Sequence, residues 1–383
     1  MTGQRRIYLD HAATSWPKHD TVLKAMDEFA RDCGATAGRG AYQSSMAANQ
    51  ILAKTRVAIA KLIGAESTNC ISFHSGGTAA LNAAIHGLLR PGDHVVTTAA
   101  EHNSVLRPLH FLAKRDAIRL TIVPVDDSGI VDALGVVEAV EDDTRMVAVT
   151  AASNVTGAVQ PISAIGKALK DRSALFLCDA AQVFGAAPIN VVDSHIDVLA
   201  SPGHKASGGP SGTGLLYVNE RLHDEIEPSI QGGTGSMSES LDMPTSFPEK
   251  LEAGNLHVSG IAGWLTSLER LKLDRTEEHC RELSRKLHDG LRAIAGTHVF
   301  GKPGPIPIAS VQIDGLSASD VAMILDSEFG IEVRSGLHCA ALIHRCIGTA
   351  DEGTVRISAG AETTTADIDA VIEAVTQIAS SIR

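Results

Sequence analysis

The side chain best placed for covalent chemistry is Lys205. It follows His204 at the end of a short apolar run (Ile196, Val198, Leu199, Ala200) and opens the glycine-rich stretch GHKASGGPSGTG. That order predicts a buried strand delivering a lysine into a loop-lined cleft. An ammonium held among small residues loses water, which lowers its pKa and exposes a nucleophilic amine. An ordinary solvated loop lysine is the other reading of this stretch taken alone. Further polar residues follow other apolar runs: Glu101, His102 and Asn103; Asn154, Thr156 and Gly157; Asp179 and Gln182; and Ser201 just before His204. Each has a structural alternative, with Asn154-Val-Thr-Gly as a turn, Asp179 as a helix cap and His102 as a core histidine. Ser75, Gly76, Gly77 and Thr78 precede an alanine- and leucine-rich helix. Their free amides and the positive end of the helix suit a phosphate, or simply start the helix.

The elements that must position these groups are legible as runs. Short apolar segments at 71–73, 94–98, 120–125, 146–152, 174–182, 197–201 and 214–218 mostly alternate with helical segments or turns. This predicts an α/β fold with a mainly parallel sheet covered on both faces, with function gathered at the carboxyl ends of its strands. Before it, a short strand leads through small residues to Pro17, placed to open a helix. Residues 44–64 have helical spacing and end at Gly64, a C-cap residue. Residues 230–254 are rich in Gly, Ser and Pro and predict a loop crossing the cleft or a subunit boundary. A long helix around Trp264 follows. The last third predicts a separate α+β unit, with helices at 276–296, 318–328 and 364–382 and strands near 309–313, 331–334 and 354–358.

The chain has 383 residues, 44% of them apolar, enough for one large domain and a smaller one. Lysine plus arginine (33) minus aspartate plus glutamate (45) gives −12, which argues against nucleic acid and anionic membrane as partners. No apolar run is long enough for a membrane span or a secretory leader, so the cytoplasm is the expected location. Six cysteines, Cys33, Cys70, Cys178, Cys280, Cys339 and Cys346, are scattered without a CxxC pair. Reduced thiols and no metal site are expected.

The order YLDHAATSWPK, EHNSVLRPL, ASNVTG, DAAQ, GHK, QGGTGS, EAG, RSGLHCA and VRISAG, running from Tyr8 to Gly360, resembles the class V aminotransferases. These are pyridoxal 5'-phosphate (PLP) enzymes of transferase fold type I, and the likeness is greatest to the cysteine desulfurases among them. The resemblance implies a large PLP-binding domain over 18–255 with a mainly parallel seven-stranded sheet. Residues 1–17 plus 256–383 would form a smaller α+β domain, and the protein would be a homodimer. Lys205 would hold the cofactor covalently and move the substrate's Cα proton. Asp179 would pair with the ring nitrogen, Gln182 would reach the ring oxygen, and His102 would stack on the ring and relay protons. Gly77, Thr78, Ser201 and His204 would bind the phosphate, joined by Asn255 across the dimer. Asn154, Arg356 and Ala13 would contact the substrate, with Arg356 gripping its carboxylate.

Cys339 stands where the family places its persulfide-forming thiol, and Arg334 and His338 beside it would favour the thiolate. Cys346 would resolve or accept a persulfide, while Cys33, Cys70, Cys178 and Cys280 read as inert. The implied reaction converts L-cysteine to L-alanine and passes sulfur to an acceptor protein or small thiol. L-selenocysteine lysis or another C–S lyase reaction is the enzymatic alternative, and a PLP-binding platform for a sulfur carrier is the non-catalytic one. The chain departs from the family pattern at Ala79, an acidic position elsewhere; at Asn255, usually threonine; and at Ala341, often proline, which predicts a looser Cys339 loop.

Overall fold

The computed structural model describes residues 6–38, 40–237 and 239–382, so the extreme N-terminal residues, part of the stretch read for a leader, lie outside the described residues. In chain order, β1 (Ile7–Tyr8) precedes seven strands: β2 (Ile71–His74), β3 (His94–Thr98), β4 (Arg119–Val123), β5 (Thr144–Thr150), β6 (Leu175–Asp179), β7 (Val198–Pro202) and β8 (Gly214–Val218). They form one sheet in the order β2-β8-β7-β6-β5-β3-β4. All its pairings are parallel except the two made by β8. Strands β3, β6, β7 and β8 are buried throughout, because helices cover both faces. Such strands read as continuous apolar runs rather than alternating ones, and this α/β fold with its mixed, mostly parallel seven-stranded sheet is the expected one.

The chain then forms β9 (Thr297–Phe300), β10 (Ile308–Ile313), β11 (Ile331–Glu332), β12 (Arg334–Gly336) and β13 (Thr354–Ser358). An antiparallel sheet β12-β13-β10-β9 packs the helices Leu273–Arg292, Ala318–Phe329 and Thr365–Ser381 into a second apolar core. Strand β9 was missing from the sequence reading; its four residues are only partly buried, so its apolar signal is weak.

Several local readings hold. Gly64 ends the helix Gln43–Ile63 with φ +66°, a conformation that favours glycine. The Pro17 reading does not hold: the helix starts at Asp20, where His19 Nδ1 accepts from the amide of Thr21 and supplies the cap. The helix Val258–Arg270 carries Trp264, fully buried and edge-on to Phe73 and Phe184 at 6.4 and 6.2 Å. It therefore packs with the large sheet's layer.

The N-terminal segment stitches the two cores together. Leu9 sits in the second core, and its carbonyl accepts from the amide of Ser358 at 2.8 Å. Ala12, three residues on, accepts from Gln182 Nε2 at 3.0 Å beside the large sheet.

Candidate active site

The carboxyl ends of β5, β6 and β7 converge on a cavity of 220 Å³. Its walls carry Ala13, Gly77, Thr78, His102, Asn154, Asp179, Gln182, His204, Lys205 and Arg356, drawn from both halves of the chain. Ser201 and Asn255 do not line it. Ser201 is buried within β7, its hydroxyl turned toward the carbonyls of Ala180 and Pro202. Asn255 is exposed on the loop after β8.

Trp264 fixes the loop that delivers Lys205. Its Nε1 donates to Ser207 Oγ at 3.0 Å. A Cβ on Gly203 or Gly209 would lie 2.8 or 2.5 Å from the indole, so the loop backbone rests directly on the ring. The Lys205 amine makes no hydrogen bond or ion pair among the described residues, while its carbonyl accepts from the Gly208 amide at 2.8 Å. Burial pulls its ammonium down to about 8, against the opposing attraction of Asp179. Asp179 is raised by its own burial, while the Ala181 amide at 2.9 Å and Lys205 act the other way.

The opposite wall is a helix start. Gly76 has no side chain to cap the helix Gly77–Leu88, leaving its first amides open to the cavity side. Two close approaches require glycine there: a Cβ on Gly77 would meet Pro202 Cδ at 2.9 Å, and one on Gly214 would meet the Gly76 carbonyl carbon at 2.6 Å. Thr78 Oγ1 lies 2.7 Å from Ser104 Oγ. His102 turns out to cap the helix Asn103–Ala113: its Nδ1 accepts from the Ser104 amide at 3.1 Å. That bond places the ring proton on Nε2, and burial, followed by the nearby charges of Lys205 and Arg334, holds the imidazole neutral with a pKa of about 4.

Arg356, on β13, is fully buried and paired with Asp10, and its Nη1 donates to the Asn154 carbonyl at 3.1 Å. Asn154 Nδ2 in turn donates to the carbonyl of His338 at 2.7 Å. Cys339 stands at the rim, in an open cavity that shares Thr78, His102 and Ser104 with the enclosed one. It is exposed, whereas Cys70, Cys178 and Cys280 are buried and burial raises their thiol pKa values. Cys33 and Cys346 are intermediate.

Only one of the two expected thiolate partners is in place. Arg334 Nη2 reaches Cys339 Sγ at 3.7 Å. His338 turns away to Thr354, and burial pushes it down to about 2, so it brings no positive charge. The loop is also better anchored than Ala341 suggested. His338 and Cys339 both have left-handed backbones (φ +48° and +58°), held by the Asn154 bond and by the Asn103 amide, which donates to the Cys339 carbonyl at 2.7 Å.

Two features were not legible in the sequence, the full burial of Glu101 and the pairing of Asp10. Glu101 is fully buried with one oxygen accepting from Thr98 Oγ1 and the Thr150 amide and the other unpartnered; burial raises it to about 8. Asp10 became visible only once the small sheet met the N-terminal segment and Arg356 paired with it.

The residues present fit pyridoxal phosphate. A free amine faces a buried carboxylate, the uncapped helix start at Gly77 and Thr78 lines the same cavity, and His204 Nδ1, His338 Nδ1 and Arg356 Nε are buried on its walls without a partner. Unsatisfied polar atoms gathered in one place require a polar ligand or water.

The chain belongs to the aminotransferase class-V family, whose sequence pattern it matches over residues 7–371. Within that family it is similar to cysteine desulfurases. A probable cysteine desulfurase of Methanothermobacter thermautotrophicus is 36% identical, over 97% of this chain and 94% of the relative. The apo structure of a cysteine desulfurase from Thermococcus onnurineus superposes with a TM-score of 0.91 at 32% identity, covering 98% of this chain and 95% of the other. Escherichia coli cysteine desulfurase CsdA, crystallised as an S-sulfonic acid, gives 0.89 at 27% identity, covering 98% and 95%.

Proposed function

We propose that the protein is a PLP-dependent cysteine desulfurase that turns L-cysteine into L-alanine and leaves the sulfur as a persulfide on Cys339. The observation that carries this reading is an enclosed, unpartnered Lys205 amine in a cavity that adjoins, through Thr78, His102 and Ser104, the open one holding the exposed Cys339 thiol. When bound, the cofactor supplies the electron sink that makes the substrate's Cα–H acidic and its Cβ–S bond breakable. Lys205 anchors the cofactor and takes the Cα proton. Asp179 would hold the ring nitrogen, and Gln182, whose Nε2 donates here to the Ala12 carbonyl, would reach the ring oxygen. The Gly77 and Thr78 amides would hold the phosphate with His204 beside it, and Ser201 would support that wall from within β7.

Arg356 receives the substrate carboxylate with its fork, held by Asp10, while Asn154 and Ala13 border the substrate. Cys339 Sγ attacks the substrate sulfur. An S–S bond forms as the Cβ–S bond breaks, the electron pair stays with Cβ, and a proton delivered there completes alanine. His102, neutral and donating through Nε2, lies where it can relay that proton.

An exposed rim thiol suits handover to a sulfur-acceptor protein or small thiol. We assign the division 18–255 against 1–17 plus 256–383 to the two sheets, with the helix Val258–Arg270 as the link that stays packed on the first. A homodimer is supported by Ile230 and Leu241, strongly exposed on the same loop region as Asn255. Among the described residues no helix is long and apolar enough to cross a membrane, which agrees with a cytoplasmic enzyme.

Purified protein and its Cys339→Ala variant, given L-cysteine and assayed for alanine, pyruvate and sulfide together, test the reading. Alanine and sulfide that depend on Cys339 are expected. Pyruvate that ignores Cys339, or lysis of L-selenocysteine alone, would move the assignment to a C–S or selenocysteine lyase. A bound cofactor with no turnover of either amino acid would leave only the sulfur-carrier platform.

A further inference from the structure

Ala12 and Gln182 also line a second, larger cavity of 430 Å³, bounded by the segment around Lys18, the start of the helix Leu273–Arg292 and the turn after β13. Its walls carry four cations, Lys18, Arg270, Lys272 and Arg275, against one carboxylate, Glu362. Elsewhere Arg31, Arg119, Arg145, Arg221 and Arg281 each pair with a carboxylate. None of the four cavity cations does so among the described residues. Lys18 Nζ donates only to neutral oxygens, Ser15 Oγ at 2.7 Å and the His204 carbonyl at 2.8 Å, and Arg270 Nη2 meets only His19 Nε2 at 2.8 Å. Trp16, Leu271, Ile306 and Ile308 give the same cavity apolar walls.

We propose that this cavity is a binding site for a small organic anion, a carboxylate or phosphate monoester carrying a short apolar body. Uncompensated cations beside apolar surface fit such a ligand, since the charge lacks a partner and the apolar walls lack cover. The depressed ammonium of Lys18, brought down to about 8 chiefly by burial, would regain its charge beside an anion. Lys18 also ties the site to the lysine loop, because the carbonyl it holds belongs to the peptide that joins His204 to Lys205.

Calorimetric titration of the cofactor-loaded protein with phenyl phosphate, with benzoate and with uncharged benzyl alcohol tests the site. Loading the cofactor first keeps its own phosphate subsite out of the measurement. One saturable site with a Kd below about 1 mM is expected for at least one anion, and the tighter of the two identifies the preferred head group. Arg275→Glu and, separately, Lys272→Glu, both exposed positions, should weaken binding about tenfold, the scale of one charge-assisted hydrogen bond. Melting curves verify that both variants are folded. No saturable binding of either anion, equal binding by benzyl alcohol, or an affinity unchanged in both folded variants would overturn the assignment.

Discussion

Lys205 and Cys339 are both nucleophiles, yet the molecule holds them in opposite ways. Lys205 is placed by packing: its loop lies on Trp264, follows a fully buried strand and faces a buried carboxylate. Cys339 is placed by backbone hydrogen bonds that leave its side chain in solvent, on two successive left-handed residues. The contrast follows from what each must meet. In the proposed roles, an amine that stays with a small cofactor would gain from desolvation, whereas a thiol that hands sulfur to another molecule would have to be reachable. Rigidity is common to both, but only one depends on the apolar core.

Substitutions should separate the two. Lys205→Ala should cost the most, removing covalent retention of the cofactor and lowering turnover by about 1,000-fold or more, within the range for a lost general base; the visible spectrum and alanine release report it. Trp264→Ala should destabilise the fold by about 3–5 kcal/mol and weaken cofactor retention through the loop that rests on it, seen in denaturant titrations and in the cofactor content of purified protein. A variant that kept full stability would show that the loop does not depend on the core.

Glu101→Gln should act through pH. The Glu101 carboxyl is raised from 4.5 to about 8 in the fold. Its contribution is therefore fully present below about pH 4.5, where both folded and unfolded states are protonated, and is lost as pH rises through 8. The glutamine variant should gain on the parent between pH 5 and pH 9, by about 1 kcal/mol or more, or about 2 °C in Tm. A gap independent of pH would mean the carboxyl is ionised in the fold. The smallest effect on the fold belongs to Cys339→Ala, which should leave stability within about 0.5 kcal/mol and the bound cofactor's spectrum unchanged while sulfur release stops. A large loss of Tm there would erase the distinction between the two nucleophiles.

The large sheet was legible because its strands are buried on both faces and read as unbroken apolar runs bounded by turns, from His94–Thr98 to Gly214–Val218. Residues at strand ends, such as Asp179, could be picked out by that logic alone, and the resemblance supplied their roles. What escaped was information carried by contact between distant segments. Asp10 has ordinary local surroundings, and only the meeting of β13 with the N-terminal segment pairs it with Arg356 on the cavity wall. The favourable charge expected from His338 failed for the same reason. Its neighbour in sequence is Cys339, but its partner in space is Thr354, and burial there leaves the ring uncharged.

The stitch made by the N-terminal segment also sets an order of events during synthesis. Leu9 emerges long before the Ser358 that bonds it, 349 positions later, and Arg356 reaches Asp10 only at the same stage. On the ribosome the large sheet can be complete while the substrate side of the cavity still lacks a wall. A nascent chain halted before β13 would hold the cofactor's half of the site without the arginine proposed to grip substrate, so carbon–sulfur cleavage would wait for β13 to emerge.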